Sequence, residues 1–157
     1  RAKYMDDNEM RPRLWLDDLS VGQEFHSREH PLDAEQIVDF ASRFDPQPFH
    51  LDPEAARHSY FQGLAASGWH TMAITMKLLV ESIPLAQGII GAGAEIAWPR
   101  PTRPGDILRV KSRIDEITPS RSRPDRAMVL AHSVTLNQNA EVLQDFRARL
   151  LVFRKEA

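Results

Sequence analysis

WHTMAITMKLLVESI, residues 69–83, is apolar nearly all the way round a helical wheel. A helix of that kind is normally central and buried. The pattern predicts a helix from about Ser67 to Ile83, stopped by Pro84, which lacks the N–H that the next turn needs.

The chain changes character after it. From Gly88 onward AGAEIAW, ILRVKSRIDEI, AMVLAHSVTLNQ and VLQDFRARLLVFR read as strands. They are separated by the proline-rich corner PRPTRPGD (99–106), the polar loop TPSRSRPDR (118–126) and the turn Asn139-Ala140-Glu141. Met128, Leu130, Val134 and Leu136 share one face at period two, as do Val142, Phe146, Ala148, Leu150 and Val152. Long, half-alternating strands joined by short polar turns predict an antiparallel sheet. One apolar helix followed by such strands is satisfied most economically when the sheet wraps around the helix, an α+β arrangement.

Upstream, Glu24 to Pro31 reads as a strand, and PLDAEQIVDFASRF (31–44) as a helix. Asp33 is its cap, Gln36 the capping-box partner, and Ile37, Phe40, Ala41 and Phe44 its buried stripe. Pro46 ends it, because the residue before a proline is pushed out of the α region. A short helix starts again at Asp52, with Pro53 in the first helical position. Residues 1–13 are polar and are expected to be a flexible segment, leaving 14–157 as one domain.

Composition bounds what such a domain does. A chain of 157 residues buries ~70% of the surface its unfolded form exposes, enough for one core. Apolar residues make up 42% and charged residues 27%, with a formal net charge of −2 and no uniformly basic face, which argues against nucleic acid as a partner. Cysteine is absent, which removes thiolate nucleophiles and Cys-ligated zinc. No apolar run approaches the ~20 residues of a membrane span, and the start RAKYMDDNEM has no apolar core of a signal peptide. The expectation is a cytoplasmic protein with no membrane partner.

FDPQPFH, residues 44–50, concentrates two prolines, an acid and a histidine between two helical segments. Asp45 and His50 are suited to moving protons near neutral pH. As a straight polyproline segment the stretch would hold them roughly 15 Å apart, so they act together only if it bends. A turn over Asp45-Pro46-Gln47-Pro48 could supply the bend. Taken alone, the pattern favours a helix-stopping loop with two unrelated polar residues, since short motifs recur by chance. Downstream, FQGLAASGWHTM places Ser67 and Gly68 where the long helix begins. The first N–H groups of a helix lack internal acceptors and can face a developing oxyanion. A permissive turn explains the glycine equally well.

Together, DPQPFH, LDPEAA, GLAASGWHTM and PRPTRPGDIL resemble the MaoC-like dehydratases, a family of hotdog fold that includes the R-specific enoyl-CoA hydratases. The resemblance spans roughly Leu14 to Phe153. It implies a single hotdog domain and the reversible addition of water to an enoyl-CoA, giving a 3-hydroxyacyl-CoA. It places Asp45 and His50 as the catalytic pair and the Gly68 N–H as oxyanion donor, with Gln47 and Ser67 as candidate substrate-binding residues. Gln47 stands where the family carries Asn, keeping the amide but adding a methylene. The resemblance implies no metal and no separate cofactor, coenzyme A being part of the substrate, and a homodimer or higher homo-oligomer joined edge to edge. The long last strand is the expected edge. A hotdog thioesterase and a non-catalytic acyl-CoA-binding domain are the alternatives.

Other polar residues carry less. His26 and His30 sit in expected strand, ~13 Å apart, too far to share an ion. His132 alternates with apolar neighbours as a boundary histidine does, and His70 and Trp69 read as packing beside Gly68. Gly88, Gly91 and Gly93 are misordered for a dinucleotide fingerprint. Arg121, Arg123 and Arg126 fit an exposed turn, while Arg100 and Arg103 have no assigned role.

Overall fold

The structure is a computed structural model and describes residues 13–156. The expected flexible N-terminal segment therefore lies, except for Arg13, outside the described residues.

After a 3-10 turn at Leu16–Asp18 come two short strands, β1 (Glu24–His26) and β2 (His30–Pro31), where the sequence suggests one. Helix α1 (Ala34–Phe44) begins at Asp33, whose carboxylate accepts from the Gln36 N–H at 2.9 Å. The box is only half made. The Gln36 side chain turns away to donate to the Pro31 carbonyl and to meet His30. Ile37 and Ala41 are buried as expected, but Phe44 is 70% exposed, its ring tilted against that of Phe40 at 5.2 Å. Two single-turn helices follow, α2 (Pro48–Leu51) and α3 (Pro53–Arg57), each with proline in its first turn.

Helix α4 (Gly68–Ser82) is the long apolar one, capped by the Ser67 hydroxyl, which accepts from the Trp69 N–H. Its sheet-facing residues, among them Thr71, Ile74, Thr75, Leu78 and Leu79, are buried. They lie against strands β3 (Ile90–Ala97), β4 (Ile107–Pro119), β5 (Arg126–Leu136) and β6 (Val142–Phe153). The sheet is antiparallel throughout, in the order β1-β4-β5-β6-β3, with β2 also on β4.

One expectation changes. The last strand is not an edge: β6 pairs with β5 on one side and β3 on the other, leaving β3 with one neighbour among the described residues. The larger apolar residues of β5 do not face the helix. Its core face is Ala127, Val129, Ala131, Ser133 and Thr135, whereas Met128, Leu130 and Val134 lie half-buried on the outer face. Small side chains let α4 approach the sheet closely. The bulky ones cover the outer surface, where their cross-strand neighbours include Lys111, Asp145 and Arg149.

Candidate active site

The site forms where α1 ends, α2 turns and α4 begins. Asp45 is the residue after α1, and the Gln47 N–H folds back to its carbonyl at 2.8 Å. Pro48 then starts α2, and its single turn carries His50 inward. The bend thus comes from a helical turn started by a proline rather than from a β-turn across both prolines. It closes the gap that an extended segment would leave. His50 Nε2 lies 3.3 Å from Asp45 Oδ2, with only 6% and 17% of the two side chains exposed.

The other ring nitrogen of His50, Nδ1, is 2.5 Å from the Ala65 carbonyl oxygen. A carbonyl can only accept, so Nδ1 carries the proton and, in the neutral ring, Nε2 is bare. The lone pair of Nε2 therefore faces a carboxylate oxygen. Two acceptors at that distance are bridged favourably only by a donor. Burial acts to raise the Asp45 pKa, but hydrogen bonding with Ser67 and Gln47, and the charge that His50 carries when protonated, outweigh it and hold the group below its ordinary value. Asp45 is therefore ionised at neutral pH.

The candidate residues have distinct positions. Asp45, Gln47, His50 and Gly68 all line one cleft of about 490 Å³, walled by Phe61, Trp69 and Trp98. The Gln47 amide nitrogen donates to Asp45 Oδ1 at 2.6 Å, so the added methylene brings that group onto the acid. Ser67 is fully buried, caps α4 and does not line the cleft; it acts on Asp45 from behind. Gly68 opens α4, where its N–H has no intrahelical acceptor. Its lack of a side chain has a second cause: a Cβ there would come within 2.7 Å of the Trp98 indole.

Several contributors have no signature in the sequence. The Ala65 carbonyl is backbone. Arg103 donates from Nη1 to the Gly63 and Leu64 carbonyls (2.9 and 3.2 Å) and from Nη2 to that of Phe61. It clamps the loop leading to Ala65, and so is no free phosphate ligand. Arg100 pairs with Glu141 at 2.6 Å. Thr71 and Thr102 hydroxyls meet at 3.0 Å beneath the cleft. His132 contacts Asp145 on the outer face, and no group of residues suited to a metal ion occurs among the described residues. Nor is any described helix long and apolar enough to cross a membrane.

Known proteins resemble this chain to different degrees. A crystal structure of a MaoC-like dehydratase from Rhodospirillum rubrum is 61% identical, with a TM-score of 0.90 over 92% of this chain and 99% of that one. The uncharacterized protein YdeM of Bacillus subtilis is 34% identical over 68% of this chain and 77% of its own length. The 3-hydroxybutyryl-CoA dehydratase of Methylorubrum extorquens is 29% identical over 91% of this chain and 87% of its own. The sheet wrapped on one long helix is the hotdog fold. The model of the MaoC-like domain matches residues 18–135, the span that carries Asp45, His50, Gly68 and the proline-rich corner, and the chain belongs to that family.

Proposed function

We propose that the chain is an enoyl-thioester hydratase, working in reverse as a 3-hydroxyacyl-thioester dehydratase, with coenzyme A entering as part of the substrate. The observation that carries the reading is the 3.3 Å approach of a bare His50 Nε2 to the Asp45 carboxylate, beside the N-terminus of α4. One water can donate a hydrogen to each. As its oxygen bonds to the β-carbon, His50 takes a proton, and Asp45 stabilises the imidazolium that results. Charge moves through the former double bond to the thioester oxygen, which the Gly68 N–H and the positive end of α4 would meet. The proton held on the imidazolium then passes to the α-carbon, so that the one water supplies both the new hydroxyl and the new C–H hydrogen. The sum is one water added, redox-neutral, with no metal called for.

The homodimer is carried over onto β3. Among the described residues this strand has no partner on its outer side, and it begins at exposed Ile90 and runs up to exposed Trp98, so pairing two copies there would relieve a liability.

The test follows enoyl absorbance over a panel of enoyl-CoAs, with Asp45→Asn and His50→Ala alongside. Each substitution should lower kcat by about 10²- to 10⁴-fold while the far-UV circular dichroism stays native. Near-wild-type rates in either variant would sink the mechanism. Free thiol release from acyl-CoA without hydration would identify a thioesterase instead.

A further inference from the structure

A second cavity, of about 270 Å³, lies along the same face of α4. It is walled by Met76, Leu79 and Ile83 of the helix and by Ala131, Phe146 and Leu150 of the sheet. No residue lines both it and the cleft that holds Asp45 and His50. What separates the two is a polar layer to which α4, β5 and β6 each contribute at one level: Thr75, Thr135 and Gln144. The next inward-facing residues on α4 and β6, Met76 and Phe146, already belong to the cavity.

The layer is continuously bonded. Thr75 Oγ1 and Thr135 Oγ1 are 2.6 Å apart. Gln144 Nε2 donates to Thr75 Oγ1 at 3.1 Å and contacts Met72 Sδ at 3.4 Å, and Gln144 Oε1 accepts from Trp98 Nε1 at 2.9 Å. Thr75, Thr135 and Gln144 have no exposed surface. An apolar plug could part at small cost. Opening this layer leaves buried donors and acceptors without partners, each carrying its full desolvation penalty.

Distance along the helix converts the layer into a length limit. An acyl group whose thioester oxygen sits at the Gly68 N–H starts at the first turn of α4. Met72 is then ~6 Å further along the axis and Met76 ~12 Å. Carbons beyond the level of Met72 must pass between Met72, Gln144 and Trp98 to gain apolar cover. We infer that Gln144 and Met72 form a stop that restricts the chain to short acyl thioesters of the crotonyl class; this rests on the acyl-thioester reading above.

Calorimetry with saturated butyryl-, hexanoyl-, octanoyl- and decanoyl-CoA tests the stop without requiring turnover. All four share the same nucleotide and pantetheine, so differences report the acyl chain alone. Each methylene that finds apolar cover tightens binding about fourfold. In the wild type the tightening should cease by hexanoyl-CoA. In Gln144→Ala and in Met72→Ala it should continue, raising octanoyl-CoA affinity about 16-fold over wild type for two further buried methylenes. Met72 is half-buried, and its replacement leaves the bonds of Gln144 to Thr75 and Trp98 in place, so that variant serves if Gln144→Ala does not fold. A wild type whose affinity rises steadily to decanoyl-CoA overturns the stop alone, as do two folded variants that keep the wild-type limit. A wild-type chain that binds none of the four overturns the stop together with the acyl-thioester reading.

Discussion

Gly68→Ala separates two reasons for a glycine at the start of α4. Alanine keeps the N–H that would meet the thioester oxygen, so a purely electrostatic role predicts a nearly normal enzyme. The geometry predicts otherwise. The new Cβ would lie 2.7 Å from Trp98 Cε2 and 2.9 Å from Cδ2 and Cζ2. Carbon atoms settle no closer than ~3.5 Å, so the indole must retreat by roughly 0.8 Å. It is not free to do so: Nε1 is bonded to the buried Gln144, and the ring meets Trp69 edge-on at 5.4 Å. Forcing a side chain into packed space costs about 1–3 kcal/mol, and an unpaired buried acceptor on Gln144 a similar amount. The helix preference for alanine returns at most ~1 kcal/mol. The net expectation is a loss of about 1–5 kcal/mol in urea unfolding, a shifted tryptophan emission, and kcat reduced by up to ~10²-fold through misplacement of the cleft wall. Adding Trp98→Phe makes room, so the two substitutions should be less costly together than their sum. A Gly68→Ala protein with wild-type urea midpoint, emission and kcat would refute the packing of Trp98 on Gly68.

The remaining tests probe the supports of the site. His70 is buried on α4 and stacked on Phe40 at 4.5 Å, and its Nδ1 has no hydrogen-bond partner among the described residues. Burial, then the neighbouring His30, push its pKa down to about 4 against the opposing pull of Asp39. The unfolded chain therefore binds the proton more readily, and stability that is full above pH ~6.5 should be lost as pH falls towards about 4. His70→Phe, which keeps a ring on Phe40, should flatten that part of the urea midpoint against pH; an unchanged slope would remove His70 as its source. Arg103→Lys leaves one compact cation where a fork served three carbonyls. A loss of about 1–3 kcal/mol and faster proteolysis between residues 58 and 64 are expected, and unchanged cleavage would show that the loop holds without the clamp. If the pair acts on one water as proposed, Asp45→Asn with His50→Ala should cost far less than the product of the single losses.

How far the sequence could be read varied with the range of the interaction. The 3.6-residue pattern before Pro84 and the Asp33 cap are local, and both boundaries lie within a residue or two of the structure. Phe44 satisfies the same pattern and is exposed, because nothing in α1 says where the neighbouring element ends. The face of β5 was misleading for a related reason. Hydrophobicity marks Met128, Leu130 and Val134, but which face meets α4 depends on side-chain size at the contact, and there the residues are small. The edge strand likewise depends on sheet order, which chain order does not reveal.

By itself the sequence determined that one apolar helix precedes a run of antiparallel strands, and that an acid, a histidine and a glycine stand at the family's spacing. Local propensity and short-range steric rules suffice for the helix and strands, and the resemblance to the family supplies the spacing. Only the tertiary structure decided that the DPQPFH segment bends through a helical turn, that Ala65 sets which nitrogen of His50 is bare, and that Trp98 fills the space over Gly68. Those facts depend on groups far apart in the chain meeting at fixed distance, and hydrogen bonds to backbone carbonyls leave no trace in residue identity.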